Sequence, residues 1–103
     1  MKGKETLEMI AKNIEKIKDD PEGIEGLLEY AIDVHLIIDL QNNLPNGFDI
    51  CLGYGGPNIY WIYSRNYHRL EYYHGQEKEI LQLDLEIAEQ VLEYLSEIYE
   101  YNY

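Results

Sequence analysis

The sequence predicts an α+β fold, ordered α-α-β-β-β-β-α, with the helices packed on one face of a four-stranded antiparallel meander. Three observations predict it. Apolar residues recur at three- and four-residue steps near both ends of the chain, and they alternate at two-residue steps through the middle. Clusters of Asp, Asn, Gly and Pro separate these regimes. At 103 residues the chain is sized for a single domain, 1–103, with one core. Apolar residues make up 46% of it, enough to expect a folded chain despite a net charge of −12.

Leu7, Ile10, Ala11, Ile14 and Ile17 form one apolar stripe, so the first element reads as a helix. Asp19-Asp20-Pro21-Glu22 stops it and starts a second helix, with Asp20 as cap, Pro21 at the first helical position and Ile24, Leu27, Leu28 and Ala31 as the buried face. Residues 32–40 read as a strand: Ile32, Val34, Leu36, Ile38 and Leu40 point one way, Asp33, His35 and Asp39 the other, and Ile37 is the exception. A turn cluster spans Gln41 to Gly47, followed by a strand with Phe48, Ile50 and Leu52 inward. Asn58 to Ser64 is apolar or aromatic on both faces, which marks a strand covered on both sides or central in its sheet. Tyr67 to Tyr73 is the fourth strand, and Glu79 to Leu83 could add a short edge strand. Asp84 opens the last helix, whose stripe is Leu85, Ala88, Val91, Leu92, Leu95 and Tyr99.

The charge is unevenly placed. Residues 1–18 carry five lysines and three glutamates, while residues 19–103 carry 17 acidic residues against Arg65, Arg69 and Lys78. Such a body repels nucleic acids and anionic membranes and attracts basic surfaces, which are common on proteins that themselves bind nucleic acid. The expected partner is therefore a basic nucleic-acid-binding protein, with no direct nucleic-acid binding and no membrane association. With one cysteine, no secretory signal and no apolar run of the ~20 residues needed to span a bilayer, the reading is a cytoplasmic protein.

The sharpest pattern lies in the last helix. Glu86, Glu89, Glu93, Glu97 and Glu100 follow steps of three and four, which aligns them along one side, and no lysine or arginine occurs in residues 79–103. One reading is a solvated face that keeps an acidic protein in solution; the other is a row of carboxylates standing where phosphates would lie in a basic groove. A second acidic group, Asp19, Asp20, Glu22, Glu25, Glu29 and Asp33, would reinforce the row if both lay on one side. Eleven tyrosines are the next anomaly. Tyr60, Tyr63 and Tyr67 are the expected contacts around the glutamates, or alternatively part of a homodimer surface on a tyrosine-rich sheet.

No pattern calls for catalysis, metal or cofactor. Gly53-Tyr54-Gly55-Gly56-Pro57 lacks the lysine and following helix of a phosphate loop. His35, His68 and His74 with Glu71 match no zinc spacing. Cys51 reads as a small strand residue, and the abundance of acids makes chance carboxylate pairs meaningless.

Residues from about 28 to 99 resemble a group of small acidic proteins of bacteriophages and mobile elements. The resemblance runs from Leu28-Glu29-Tyr30-Ala31-Ile32-Asp33-Val34 through Asp49-Ile50-Cys51-Leu52-Gly53-Tyr54-Gly55-Gly56-Pro57-Asn58-Ile59-Tyr60-Trp61 to the acidic helix ending Glu97-Ile98-Tyr99. Its most specific part, Gly55-Gly56-Pro57-Asn58, is structural, and Tyr72-Tyr73-His74-Gly75 departs from the tryptophan-glycine pattern expected of the group. Such proteins include anti-CRISPR and anti-restriction inhibitors. The resemblance, with the charge, implies a non-enzymatic inhibitor that mimics nucleic acid in the channel of a host defence nuclease. The alternative is a structural or regulatory interaction module.

Overall fold

The computed structural model describes the backbone of residues 2–102 and side-chain surroundings over 2–98. Helix α1 (Lys2–Glu15) runs into a 3-10 turn (Lys16–Lys18), then α2 (Gly23–Glu29), five strands and α3 (Leu85–Asn102). The strands are β1 (Asp33–Ile38), β2 (Pro45–Gly53), β3 (Asn58–Ser64), β4 (Tyr67–His74) and β5 (Glu77–Gln82), hydrogen-bonded in the order β1-β2-β3-β4-β5 with every pairing antiparallel.

Strand alternation divides the sheet into two unlike faces. Val34, Ile50, Trp61, Leu70 and Leu81 stand opposite one another in consecutive strands and form one row across the sheet. With Phe48, Ile59 and Tyr72 this face joins Leu7, Ala11, Ile14 and Ile17, Ile24 of α2, and Ile87, Val91 and Leu95 of α3 in a single core. Helix α1 lies over β4 and β5, and α3 over β2 and β4. Phe48 meets Trp61 edge-on, with ring centroids 5.5 Å apart, and both rings are fully buried. Each such side chain contributes on the order of 1.5–3 kcal/mol by burial. The opposite face carries Asp49 and Cys51, Tyr60 and Ile62, and Arg69, Glu71 and Tyr73, and none of the core-forming helices lies over it.

The sheet has five strands, one more than the four-stranded meander expected. Glu77–Gln82 pairs fully with β4, and the Gly3 N–H donates to Glu77 Oε2 at 3.1 Å, tying α1 to this edge. Strand β2 begins at Pro45, inside the expected turn cluster, because Pro45 sits at an irregular position opposite Ile38 where the lost N–H is tolerated. Asp20 does not cap α2. The helix starts at Gly23, Glu22 precedes it without a side-chain cap, and Asp20 contributes only its carbonyl to the Gly23 N–H. In α3, Ile87 is in the core and Leu85 is exposed, the reverse of the expected stripe at that end.

Gly47 is fixed by packing. It pairs with Ile37, and a Cβ at this position would overlap the Tyr63 carbonyl oxygen of the neighbouring strand. Gly26, in α2, has open space around the same point. Gly47→Ala is expected to lower unfolding free energy by about 1–3 kcal/mol through overpacking. Gly26→Ala is expected to raise it by about 0.5–1 kcal/mol by reducing backbone entropy. Urea denaturation of the two variants checks both signs, and an unaffected Gly47→Ala midpoint would contradict the strand register.

Candidate functional site

Helix α3 opens on Asp84, whose Oδ1 accepts the Glu86 backbone N–H at 2.9 Å, an N-cap contact. Its origin is fixed from behind by the sheet. The Trp61 indole N–H donates to His68 Nε2 at 2.8 Å, so His68 carries its proton on Nδ1 and donates it to the Asp84 carbonyl at 2.6 Å. The Leu83 N–H donates to the His68 carbonyl at 2.7 Å. With Ile87, Ala88, Val91 and Leu95 turned into the core, Glu86, Glu89, Glu93 and Glu97 are all exposed. They fall within roughly 80° of the helix circumference, opposite the buried stripe, and span about 16 Å of its axis. The fifth expected member, Glu100, lies outside the described side chains, as do Tyr99, Tyr101 and Tyr103.

Internal neutralisation of the row is slight. Lys18 Nζ lies 3.4 Å from Glu86 Oε2 and 3.9 Å from Asp84 Oδ2, with all three side chains half-exposed or more. Such pairs are strongly screened by solvent. Glu89, Glu93 and Glu97 make no ion pair among the described residues. Asp19 and Asp20, of the second acidic group, are exposed and follow Lys18 in the chain.

The three tyrosines do not gather around these glutamates. Tyr63 lies on the helix-covered face, 5.7 Å from the Phe48 ring and 6.0 Å from the His68 ring. Tyr60 and Tyr67 project from the opposite face: Tyr60 stands 6.2 Å from Tyr73, and Tyr67 lies under the Arg69 guanidinium at 4.0 Å. The sheet itself separates them from α3. The odd spacing of Tyr60 and Tyr63 within one strand carries this signal, because side chains an odd number of residues apart face opposite ways.

The uncovered face holds a network that sequence reasoning missed. Glu71 is only 7% exposed although no helix lies over it. Its Oε2 accepts from Arg69 Nη2 at 2.6 Å and Nε at 2.7 Å, and its Oε1 accepts the Tyr73 hydroxyl at 2.9 Å. A carboxylate out of water is tolerable when its oxygens are satisfied in this way. The hydrogen bond to Glu71, followed by desolvation, pushes the Tyr73 pKa above its ordinary value. The spacing Arg69, Glu71, Tyr73 places all three on one face of β4, and that alternation was the available clue. At the β1 end of the same face, an open concavity of about 250 Å³ is lined by Ile32, Asp33, His35, Asp49, Cys51, Tyr54 and Tyr60.

The histidines are dispersed. His68 is in the core, His35 Nε2 lies 2.7 Å from Asp33 Oδ2 on β1, and the His74 ring is 6.5 Å from Tyr72. Among the described residues no group of three or more His, Cys, Asp or Glu is placed to hold a metal ion. The Cys51 thiol donates to the Gly53 carbonyl at 3.3 Å. In the loop that follows, Gly55 takes φ 101° and its N–H donates to Asn58 Oδ1 at 2.7 Å, closing a compact connection between β2 and β3. No described helix is long and apolar enough to cross a membrane. No family model, curated protein or solved structure matches the chain.

Burial pushes the His68 pKa below its ordinary 6.5, against the opposing pull of the Asp84 carbonyl and charge. As pH falls below 6.5 the unfolded chain takes up a proton that folded His68 does not, so stability is withdrawn until pH reaches the lowered folded value. Above 6.5 the neutral bridge contributes in full. Protonation would also place two donors, Nε2–H and the indole N–H, face to face. The unfolding free-energy difference between wild type and His68→Gln should therefore shrink as pH is lowered from about 8 to about 5. A difference independent of pH would show that His68 does not titrate with folding.

Proposed function

We propose that this protein is a non-enzymatic inhibitor that occupies the nucleic-acid channel of a host defence nuclease, a CRISPR effector being the leading instance. Carboxylates of α3 stand in for phosphates. One observation carries the reading: Glu86, Glu89, Glu93 and Glu97 are all exposed along one side of a helix whose other side is locked into the core. A row of like charges destabilises a helix, and here the cost is offset mainly by packing on the sheet, with Lys18 the counter-ion at its first glutamate. Partner lysines and arginines would supply those counter-ions. Binding would displace small ions from both surfaces, so affinity would depend steeply on salt.

The inhibitor reading divides the acidic surface by role. Glu93 and Glu97 make no ion pair among the described residues, whereas Glu86 is shared with Lys18. Tyr60 and Tyr67 lie on the far side of the sheet and would not touch a partner seated on α3 alone.

The test measures binding of the protein to candidate basic nucleases, CRISPR effectors first, across a salt series and in competition with DNA or guide RNA. Reversing Glu93 and Glu97 together to Lys is expected to weaken binding roughly 10–100-fold or more and to flatten its salt dependence. Reversing Glu8 and Glu15 of α1 should leave affinity within about twofold. Undiminished inhibition by the α3 double variant would eliminate phosphate mimicry by this helix.

A further inference from the structure

The two edges of the sheet are treated differently. Strand β5 is a guarded edge. It carries Glu77, Lys78 and Glu79, it is held to α1 through the Gly3–Glu77 bond, and Leu7 lies beside Glu79, Ile80 and Leu81. Charged residues and a covering helix are the usual devices that keep a free edge from pairing with another chain. Strand β1 has no lysine, and its ionisable side chains are Asp33 and His35; the Val34 N–H donates to Asp33 Oδ1 at 3.0 Å, a local bond that pairing with another strand would exchange for one to the partner backbone. Ile32 is 61% exposed, Val34 39% and Ile37 41%, and the flanking Tyr30, Leu40 and Leu44 are exposed as well. More than half of the large apolar side chains exposed among the described residues thus fall between Tyr30 and Leu44.

We propose that β1 pairs with β1 of a second copy, antiparallel about a twofold axis at Val34, to give a continuous ten-stranded sheet. The charges of the strand favour a second copy and the Val34 register, since an axis at His35 would set Asp33 against the partner's Ile37, with no charged partner. With the axis at Val34, Asp33 faces the partner's His35 twice, Val34 faces the partner's Val34, and Ile32 faces the partner's Leu36. Within one chain Asp33 and His35 already form a hydrogen-bonded pair on this face, at 2.7 Å, so the dimer brings two such pairs together with carboxylate opposite imidazole. An axis at Leu36 would instead set Asp33 against the partner's Asp39, a like-charge pair. An axis at Ile37 falls on the irregularity between Ile37 and Ile38, where the pairing of β1 with β2 shifts and the strand is bent. The regular part of β1, Asp33 to Ile37, contains the Val34 axis. An isologous pairing of this kind closes on itself, so it stops at a dimer.

The pairing leaves α3 untouched and stands independently of the inhibitor reading, with an opposite dependence on salt. Two bodies of charge −12 repel each other, so added salt should favour the dimer while it weakens binding of a basic partner. Sedimentation velocity over a wide concentration range, at low and high salt, reads the association. The expected result is a monomer–dimer equilibrium that salt shifts toward dimer. Val34→Lys and Ile32→Lys should each shift it at least tenfold toward monomer while far-UV circular dichroism stays native, and Met9→Lys on α1 should leave it unchanged. Should one β1 variant lose its fold, the other decides. A wild-type protein that stays monomeric across the range at both salt levels overturns the proposal, as does a dimer that survives the folded β1 variants.

Discussion

The line of hydrogen bonds from the Trp61 indole through His68 to the Asp84 carbonyl governs the geometry of everything that faces the solvent on the helical side. It joins β3 and β4 to the residue that caps α3 and satisfies an indole N–H and both ring nitrogens of a buried imidazole. Left unmade, each of those buried groups would cost on the order of 1–3 kcal/mol. Because the bridge ends on the capping residue, it fixes where α3 begins and so which residues turn inward. Ile87, Ala88, Val91 and Leu95 then fall on the sheet, and the glutamates three and four residues apart fall away from it. The order of α3's outer surface is a consequence of a core contact that touches none of those glutamates.

Much of the architecture was legible because hydrophobic spacing and burial agree. The first stripe, Leu7, Ala11, Ile14 and Ile17, is buried as read, and Asp84 caps α3; β1 forms within residues 32–40 as read, although Ile32, Val34 and Leu40 stay exposed. The misreadings share a cause: the local signal was real but tertiary contacts overrode it. Pro45, Asn46 and Gly47 have turn chemistry, yet β1 and β3 flank them and Gly47 allows the close approach of Tyr63. The optional edge strand read at Glu79 to Leu83 is present, and it starts earlier, at Glu77, because β4 offers it a complete edge and α1 anchors it. The burial of Glu71 depends on Arg69, Tyr73 and the strands beside them, which composition does not encode. Of the candidate surface, the exposure of Glu86, Glu89, Glu93 and Glu97 followed from the helical period alone. The split of Tyr60 and Tyr67 from Tyr63 required the strand parity to be applied residue by residue.

The uncovered face is not simply the polar back of a half-buried sheet. Arg69 is held between the Tyr67 ring and the Glu71 carboxylate, and Lys78 lies 5.8 Å from the Tyr73 ring. Of the three cationic residues beyond Lys18, two are therefore engaged with tyrosines on this face. That local pairing neutralises little of the total charge, because it consumes one buried carboxylate and leaves the exposed acids as they were. Stability on this side comes from fixed side-chain geometry, and on the other from apolar burial.

The concentration of lysines in α1 and the turn that follows it gives the molecule a consequence beyond its net charge. Five ammonium groups within residues 2–18 set against an anionic remainder form a permanent electric moment across a body about 41 Å long. In the field of a cationic cleft such a particle experiences torque as well as attraction, and it rotates before any surface touches. Pre-alignment of this sort acts on encounter frequency more than on residence time.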